Sequence, residues 1–287
     1  MKALLISPAA PPALRGLSET GPLASVPFLG QGLIEYWLSH FAATGIREVL
    51  VLSHDRTDAL EKVVGEGRRW GLKVQFIEES RELTRAQALA TYEQELGTPD
   101  PQTRIAVMDR FPGQASSLFS SVASLYAGFI DWMPKARTPD RVGIKELKPG
   151  VWAGLNCLLA SDLQIEAPCW IGKNVCLGSG TILRAGTIIE DGVFVEGASA
   201  FSQSWVGPHT FVGKCSELSR SLALGSTLIN IDSGVTVQVP DSFVLCALQQ
   251  PENKQAPGLF ARFAEMYCRS KAEAEVFWKH LLINRGS

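Results

Sequence analysis

The sequence predicts an α/β plus β architecture: an α/β domain on a short parallel sheet, then a left-handed parallel β-helix, then C-terminal helices. Three observations carry this expectation. Aliphatic residues recur every six positions from Leu159 through Ile165, Ile171, Leu177, Leu183, Ile189 and Val195 to Phe201. After one five-residue step at Trp205 the ladder resumes as Val206, Val212, Leu218 and Leu224. Small or β-branched residues follow many rungs four places later (Val175, Thr181, Thr187, Val193, Ser199, Thr210, Ser216), so a hexad holds one large inward residue, one small one and a turn. Ahead of the ladder, strand-length and helix-length apolar runs alternate, as in a parallel sheet with crossover helices. A sandwich of short strands would instead need alternation of period two.

Taken in order, Lys2 to Ile6 is a short apolar strand. Gln31 to Thr44 carries Leu33, Ile34, Trp37, Leu38 and Phe41 at helical spacing, and Gly45 ends it. Glu48 to Leu52 is a second strand, Thr57 to Arg69 a helix, and Lys73 to Ile77 a third strand. Thr84 to Leu96 is a helix, Arg104 to Met108 a fourth strand, and Ser116 to Trp132 a last helix. The run Pro134-Lys135-Ala136-Arg137-Thr138-Pro139 reads as a linker. The expected units are therefore an α/β domain over 1–135, a linker over 136–152, the β-helix over 153–229, and irregular strand with amphipathic helices over 230–287. In the last unit Leu259, Phe260, Phe263, Met266 and Tyr267, then Val276, Phe277, Leu281 and Leu282, fall on apolar faces suited to capping the last coil or packing on another subunit.

Composition limits the function. The 287 residues carry a net charge of -2, so no basic field exists for nucleic acid or an anionic membrane. The segment before Pro11 and Pro12 is too short for a signal peptide, and no apolar run approaches a membrane span, which points to a cytoplasmic protein. Six cysteines without a C-x-x-C pair argue against metal or disulfide roles.

The six-residue ladder resembles the hexapeptide-repeat proteins. In the acyltransferases of that group a histidine at a coil corner acts as general base, which singles out His209 in Val206-Gly207-Pro208-His209-Thr210. Those enzymes also use a protruding loop, whereas this ladder has a one-residue deletion and no insertion.

The segment from Ile6 to Gly30 aligns without a gap on the pattern L-A-A-G-x-G-T-R-L-x-P-L-T-x-x-x-P-K-P-L-x-P-V-x-G. It resembles the sugar-nucleotide pyrophosphorylases, nucleotidyltransferases that join a sugar 1-phosphate to a nucleoside triphosphate. Leu14, Leu17, Pro22, Pro27 and Gly30 match the framework, as do Gly45-Ile46-Arg47-Glu48-Val49 and the run Gly65-Glu66-Gly67-Arg68-Arg69-Trp70-Gly71-Leu72 with Glu78. The chemical positions depart. Ala9 and Pro11 replace two glycines of the phosphate loop, and Pro12, Ala13 and Leu23 stand where the family has Thr, Arg and Lys. Proline has no N–H to offer a phosphate. Each lost cationic group typically costs ~10²–10³ in rate. Arg15 falls on a variable position of the pattern. Leu83-Thr84-Arg85-Ala86-Gln87-Ala88-Leu89 replaces L-G-T-A-G-A-L, with Arg85 expected to fill the base pocket. Ala9, Ala10, Arg15 and Arg85 are thus the nucleotide-binding remnant. Asp109 alone matches the family's metal-binding carboxylate, so magnesium is implied only together with a bound nucleotide. The family's sugar-binding lobe has no counterpart.

Beyond Leu228 the chain resembles the end of nucleotidyltransferase-like, β-helix-bearing segments of bacterial exopolysaccharide sugar-transferase proteins. That implies partners among polysaccharide-biosynthesis proteins, and β-helix relatives imply a homo-oligomer, trimer or dimer. The reading is a nucleotidyltransferase-like binding or scaffold protein whose ancestral chemistry is lost. The alternatives are a divergent active sugar-1-phosphate nucleotidyltransferase using Asp109 and Arg15, and an acyltransferase built on His209. Trp170, Trp205 and Phe201 are either an exposed aromatic patch or core.

Overall fold

The computed structural model describes residues 2–19, 21–96, 105–137 and 143–248. The helices expected over 257–282, and Cys268, lie outside the described residues.

The α/β unit runs β1 (Lys2–Ile6), α1 (Leu33–Ala43), β2 (Glu48–Ser53), α2 (Thr57–Val64), β3 (Lys73–Glu78), α3 (Arg85–Leu96), β4 (Ile105–Val107) and α4 (Val122–Trp132). All four strands are parallel, in the order β3-β2-β1-β4. Right-handed crossovers through helices are the connection that parallel neighbours require. The expected elements form, the helices with shorter ends and the second and third strands one residue longer, to Ser53 and Glu78. Helix α2 stops at Val64 because Gly65 takes φ 59, and the remainder of its predicted length becomes a turn at Arg68–Trp70. Helix α4 starts later than expected, at the Ser121 cap, whose hydroxyl accepts from the Ser124 N–H.

The β-helix has three faces of stacked parallel strands. On the first, Ala153 pairs with Ile171 and Ile171 with Ile189, 18 residues apart, and then Val206 and Ala223 follow at 17. The inward rungs Ile171, Leu177, Leu183, Ile189, Val195, Phe201, Val206 and Val212 are at most 1 % exposed. Between them the small positions Val175, Thr181, Thr187, Val193 and Thr210 are fully buried, with the threonine hydroxyls of Thr181 and Thr187 donating to the Gly178 and Arg184 carbonyls. One rung differs from expectation. Ala223, not Leu224, faces inward, because a second five-residue step follows Leu218. Both shortened steps lie at one corner, at Gln203 and Arg220, where both residues have left-handed φ and Arg220 Nη1 donates to Gln203 Oε1 at 2.8 Å. The two shortened corners thus stack on each other in successive coils.

After Leu224 the chain turns back. Thr227–Asn230 pairs antiparallel with Ser221–Leu224, Thr236–Gln238 adds beyond it, and Leu245–Ala247 pairs antiparallel with Thr210–Val212. At the other end Ile144–Lys148 pairs antiparallel with Val151–Gly154, giving the first face eight strands.

This first face docks on the α/β unit. Trp152, Trp170, Ile188, Trp205 and Leu222 each precede an inward rung and therefore point outward, yet none exceeds 4 % exposure. They join one continuous core with Phe28, Phe111 and Phe129, the Phe129 and Trp205 rings lying 6.1 Å apart. Trp170 and Trp205 are thus junction core rather than an exposed patch, and Phe201 fills the coil interior. A buried tryptophan removes about 150–250 Å² from water, so three of them on one face give the junction the apolar character of a single core.

Candidate functional site

In a sheet ordered β3-β2-β1-β4 the chain reverses direction of growth at β1, so the crevice beyond the carboxyl ends of β1 and β4 is where an open α/β sheet binds ligands. The loop after β1 leaves the sheet at Ser7, whose N–H donates to the Leu52 carbonyl at 2.8 Å. Pro8, Ala9, Ala10 and Pro11 follow, with Ala9 and Ala10 half-buried. Pro11, at φ -66 and ψ 156, caps a single turn over Pro12–Leu14, closed by Leu14 N–H to the Pro11 carbonyl at 2.9 Å. Three prolines in five residues leave this loop only the Ala9 and Ala10 amides where a phosphate cradle needs several. Leu14 and Leu17 anchor it in the core, and Arg15 between them is exposed. Leu23, at the family's lysine position, is 2 % exposed and part of the same core.

The second half of the crevice is closed by internal bonds. Thr84 and Gln87 form a reciprocal cap on α3: Thr84 N–H donates to Gln87 Oε1 at 3.0 Å, and Gln87 N–H to Thr84 Oγ1 at 3.3 Å. Arg85 is exposed at the first residue of this helix, not packed into a base pocket. After β4, both Asp109 carboxylate oxygens accept from the Arg110 guanidinium, at 2.8 Å through Nε and 2.9 Å through Nη2. That fork raises the Arg110 pKa, the hydrogen bond being the larger cause. Arg110 also donates to the Ala115 carbonyl at 2.6 Å, and its own carbonyl accepts from Trp37 Nε1 at 2.9 Å. A carboxylate so engaged does not fit the role of a lone magnesium ligand, and no group of three metal-binding side chains exists among the described residues.

Two residues outside the sequence expectations organise the site. Arg56, after β2, donates through Nη1 to the Glu19 carbonyl at 3.0 Å and through Nη2 to the Ser18 carbonyl, bracing the short helix Arg15–Ser18 while Asp55 holds its guanidinium. Glu190 lies on the first face of the β-helix and is fully buried. Its carboxylate reaches across the junction to accept from the Leu29 N–H at 2.6 Å and the Gly30 N–H at 2.8 Å, and from Trp205 Nε1 at 3.0 Å. Leu29 and Gly30, at φ 52 and 83, end the very segment that carries the framework motif. The one signal for Glu190 was its register: Gly154, Gly172 and Gly207 occupy the same place in neighbouring coils. His209 sits at a coil corner with φ 52, its N–H donating to the Asp191 carbonyl at 2.9 Å and its ring packed on Gly192. Burial lowers its pKa, against the upward pull of Asp191. His209 thus belongs to the β-helix, whereas Arg15, Arg85 and Asp109 belong to the α/β unit.

Residues 12–110 match the family model of the nucleotidyl transferases. Relatives of the chain include glucose-1-phosphate thymidylyltransferases of Streptomyces griseus, 32 % identical over 100 residues, and of Streptomyces antibioticus, 31 % identical over 100 residues. The low-salt glycan biosynthesis nucleotidyltransferase Agl11 of Haloferax volcanii is 27 % identical over 101 residues. Each match takes in 35 % of this chain and 28 % of the relative, so the chain spans little more than a quarter of the proteins it matches. A solved GDP-perosamine N-acetyl transferase from Caulobacter crescentus, in complex with CoA and GDP-perosamine, overlaps 78 % of this chain and 93 % of its own at 13 % identity. The TM-score of that overlap is 0.22.

Proposed function

We propose that the protein is a catalytically silent member of the sugar-nucleotide-forming nucleotidyltransferases that works by binding or as a scaffold. The observation that carries this reading is the fate of the phosphate loop: Pro11 and Pro12 open a tight turn, and the lysine position is the core residue Leu23. Backbone donors and cations that would stabilise a triphosphate in the transition state are missing together, and preorganised electrostatics supply most of the acceleration in phosphoryl transfer. The Haloferax volcanii relative is a glycan biosynthesis nucleotidyltransferase, which supports placing the protein beside polysaccharide assembly. The test is pyrophosphate release from nucleoside triphosphates with glucose 1-phosphate and magnesium. No release is expected. Turnover above ~1 s⁻¹, ordinary for an enzyme, and abolished by Asp109→Ala would overturn the reading.

A further inference from the structure

The two domains leave a cleft of about 390 Å³ between them, beside the last coil, and none of Ala9, Pro11, Pro12, Ala13 or Leu23 lines it. That volume lies within the usual range of small-molecule sites, about 300–1,000 Å³, which favour domain junctions. Its α/β wall presents Glu19 and Ser25, and its β-helix wall His209, Ser226, Thr227 and Gln238. Pro27 and Leu224 form the apolar floor.

The walls are fixed relative to each other. Gln238 Nε2 donates to Glu19 Oε2 at 3.3 Å across the cleft and to Thr227 Oγ1 at 2.9 Å along one wall. Close by, Gly16 approaches the β-helix so tightly that an added Cβ would lie 3.0 Å from Thr236 Cγ2. Glu190 clamps Leu29 and Gly30 on the far side. A cleft held open between such contacts is preorganised.

The chemistry of the lining selects its occupant. Ser226 Oγ donates to Gln238 Oε1 at 3.2 Å and Ser25 Oγ to the Pro22 carbonyl at 2.7 Å, so the lining offers chiefly acceptor oxygens, those of Ser25, Ser226 and Glu19, which match a ligand bearing many hydroxyl donors. No lysine or arginine is among the described lining residues, and Glu19 is a carboxylate, so a phosphate or nucleotide would enter without a counter-charge. We propose that this cleft binds an uncharged polyhydroxylated molecule of monosaccharide to disaccharide size, held by Glu19, Ser226 and Gln238. The site is separate from the phosphate loop, so it stands whether or not that loop is silent.

Saturation-transfer NMR on the full chain tests it with glucose, galactose, N-acetylglucosamine, maltose and sucrose, and with glucose 1-phosphate as the anionic counterpart. At least one neutral sugar is expected to bind at least about tenfold more tightly than glucose 1-phosphate. Ser226→Phe, an exposed turn position that would fill the cleft, and Glu19→Ala, an exposed residue, should each weaken that binding at least about tenfold with unchanged thermal unfolding. Arg85→Ala should leave it unchanged. Silence from all five neutral sugars, tighter binding of glucose 1-phosphate, or binding indifferent to Ser226→Phe overturns the proposal. Pyrophosphate release is a different readout, so failure of the cleft and failure of the silent-enzyme reading are told apart.

Discussion

Glu190→Gln is the perturbation that asks most of the junction. Burial pushes the Glu190 carboxyl from its usual 4.5 up to about 7, outweighing the donors from Trp205, Gly30 and Leu29, and Asp191 adds to the upward push. The charged groups around it are few. Asp191 is its chain neighbour and accepts from the Lys173 N–H at 2.7 Å, His209 lies beyond Asp191, and the α/β side presents the backbone N–H groups of Leu29 and Gly30. A carboxyl whose folded value exceeds its unfolded value holds its proton longer when folded. Its contribution to stability is therefore greatest below about pH 4.5 and declines as pH rises to about 7. A displacement from 4.5 to about 7 amounts to roughly 3 kcal/mol. Glutamine removes the titration and leaves one oxygen acceptor, its amide NH₂ facing an N–H that Glu190 now satisfies. Urea unfolding of both proteins at about pH 5 and about pH 8 measures the effect. The stability of the wild type relative to the variant should fall by about 2–3 kcal/mol over that interval. Parallel stabilities across the interval would refute the buried, protonatable clamp.

The β-helix register predicts that Ile171→Asp or Leu183→Asp prevents soluble expression, since each rung contributes about 1.5–3 kcal/mol and a buried unpaired carboxylate costs more. Glu217→Ala, exposed on the third face, should express normally, and equal behaviour of all three would contradict the register. Restoring the family's lysine alone, Leu23→Lys, should lower stability by about 3 kcal/mol or more without producing pyrophosphate release. Retained stability in a melting experiment would show that this position does not belong to the core. The chain is expected to form a homo-oligomer, and light scattering that reports a 31.1 kDa monomer at micromolar concentration would refute that.

Periodic features were legible in the sequence, and features that depend on two distant segments were not. The ladder placed Ile171 through Val206 correctly because a solenoid repeats its own local geometry. Leu224 was placed inward because a six-residue count sees only apolar side chains, and Ala223 is too small to stand out. The same count left Trp170 and Trp205 open between an exposed patch and core, because it held no information about the domain that covers them. Motif matching found the eroded phosphate loop at Pro11 and Pro12, where backbone chemistry is local. Arg56 and Glu190 escaped because each acts on carbonyls or amides of a segment remote in sequence, and a backbone partner leaves no mark in composition.

Solenoids commonly gain or lose whole repeats with little consequence, since each coil touches only its neighbours. Here Trp152, Trp170, Ile188, Trp205 and Leu222 come one from each successive coil and together meet the α/β unit. Excising a coil would move everything above it by about 4.8 Å, enough to carry Glu190 out of reach of Leu29 and Gly30. Repeat number in this protein is therefore a ruler: the count of coils sets where the second domain's clamp falls.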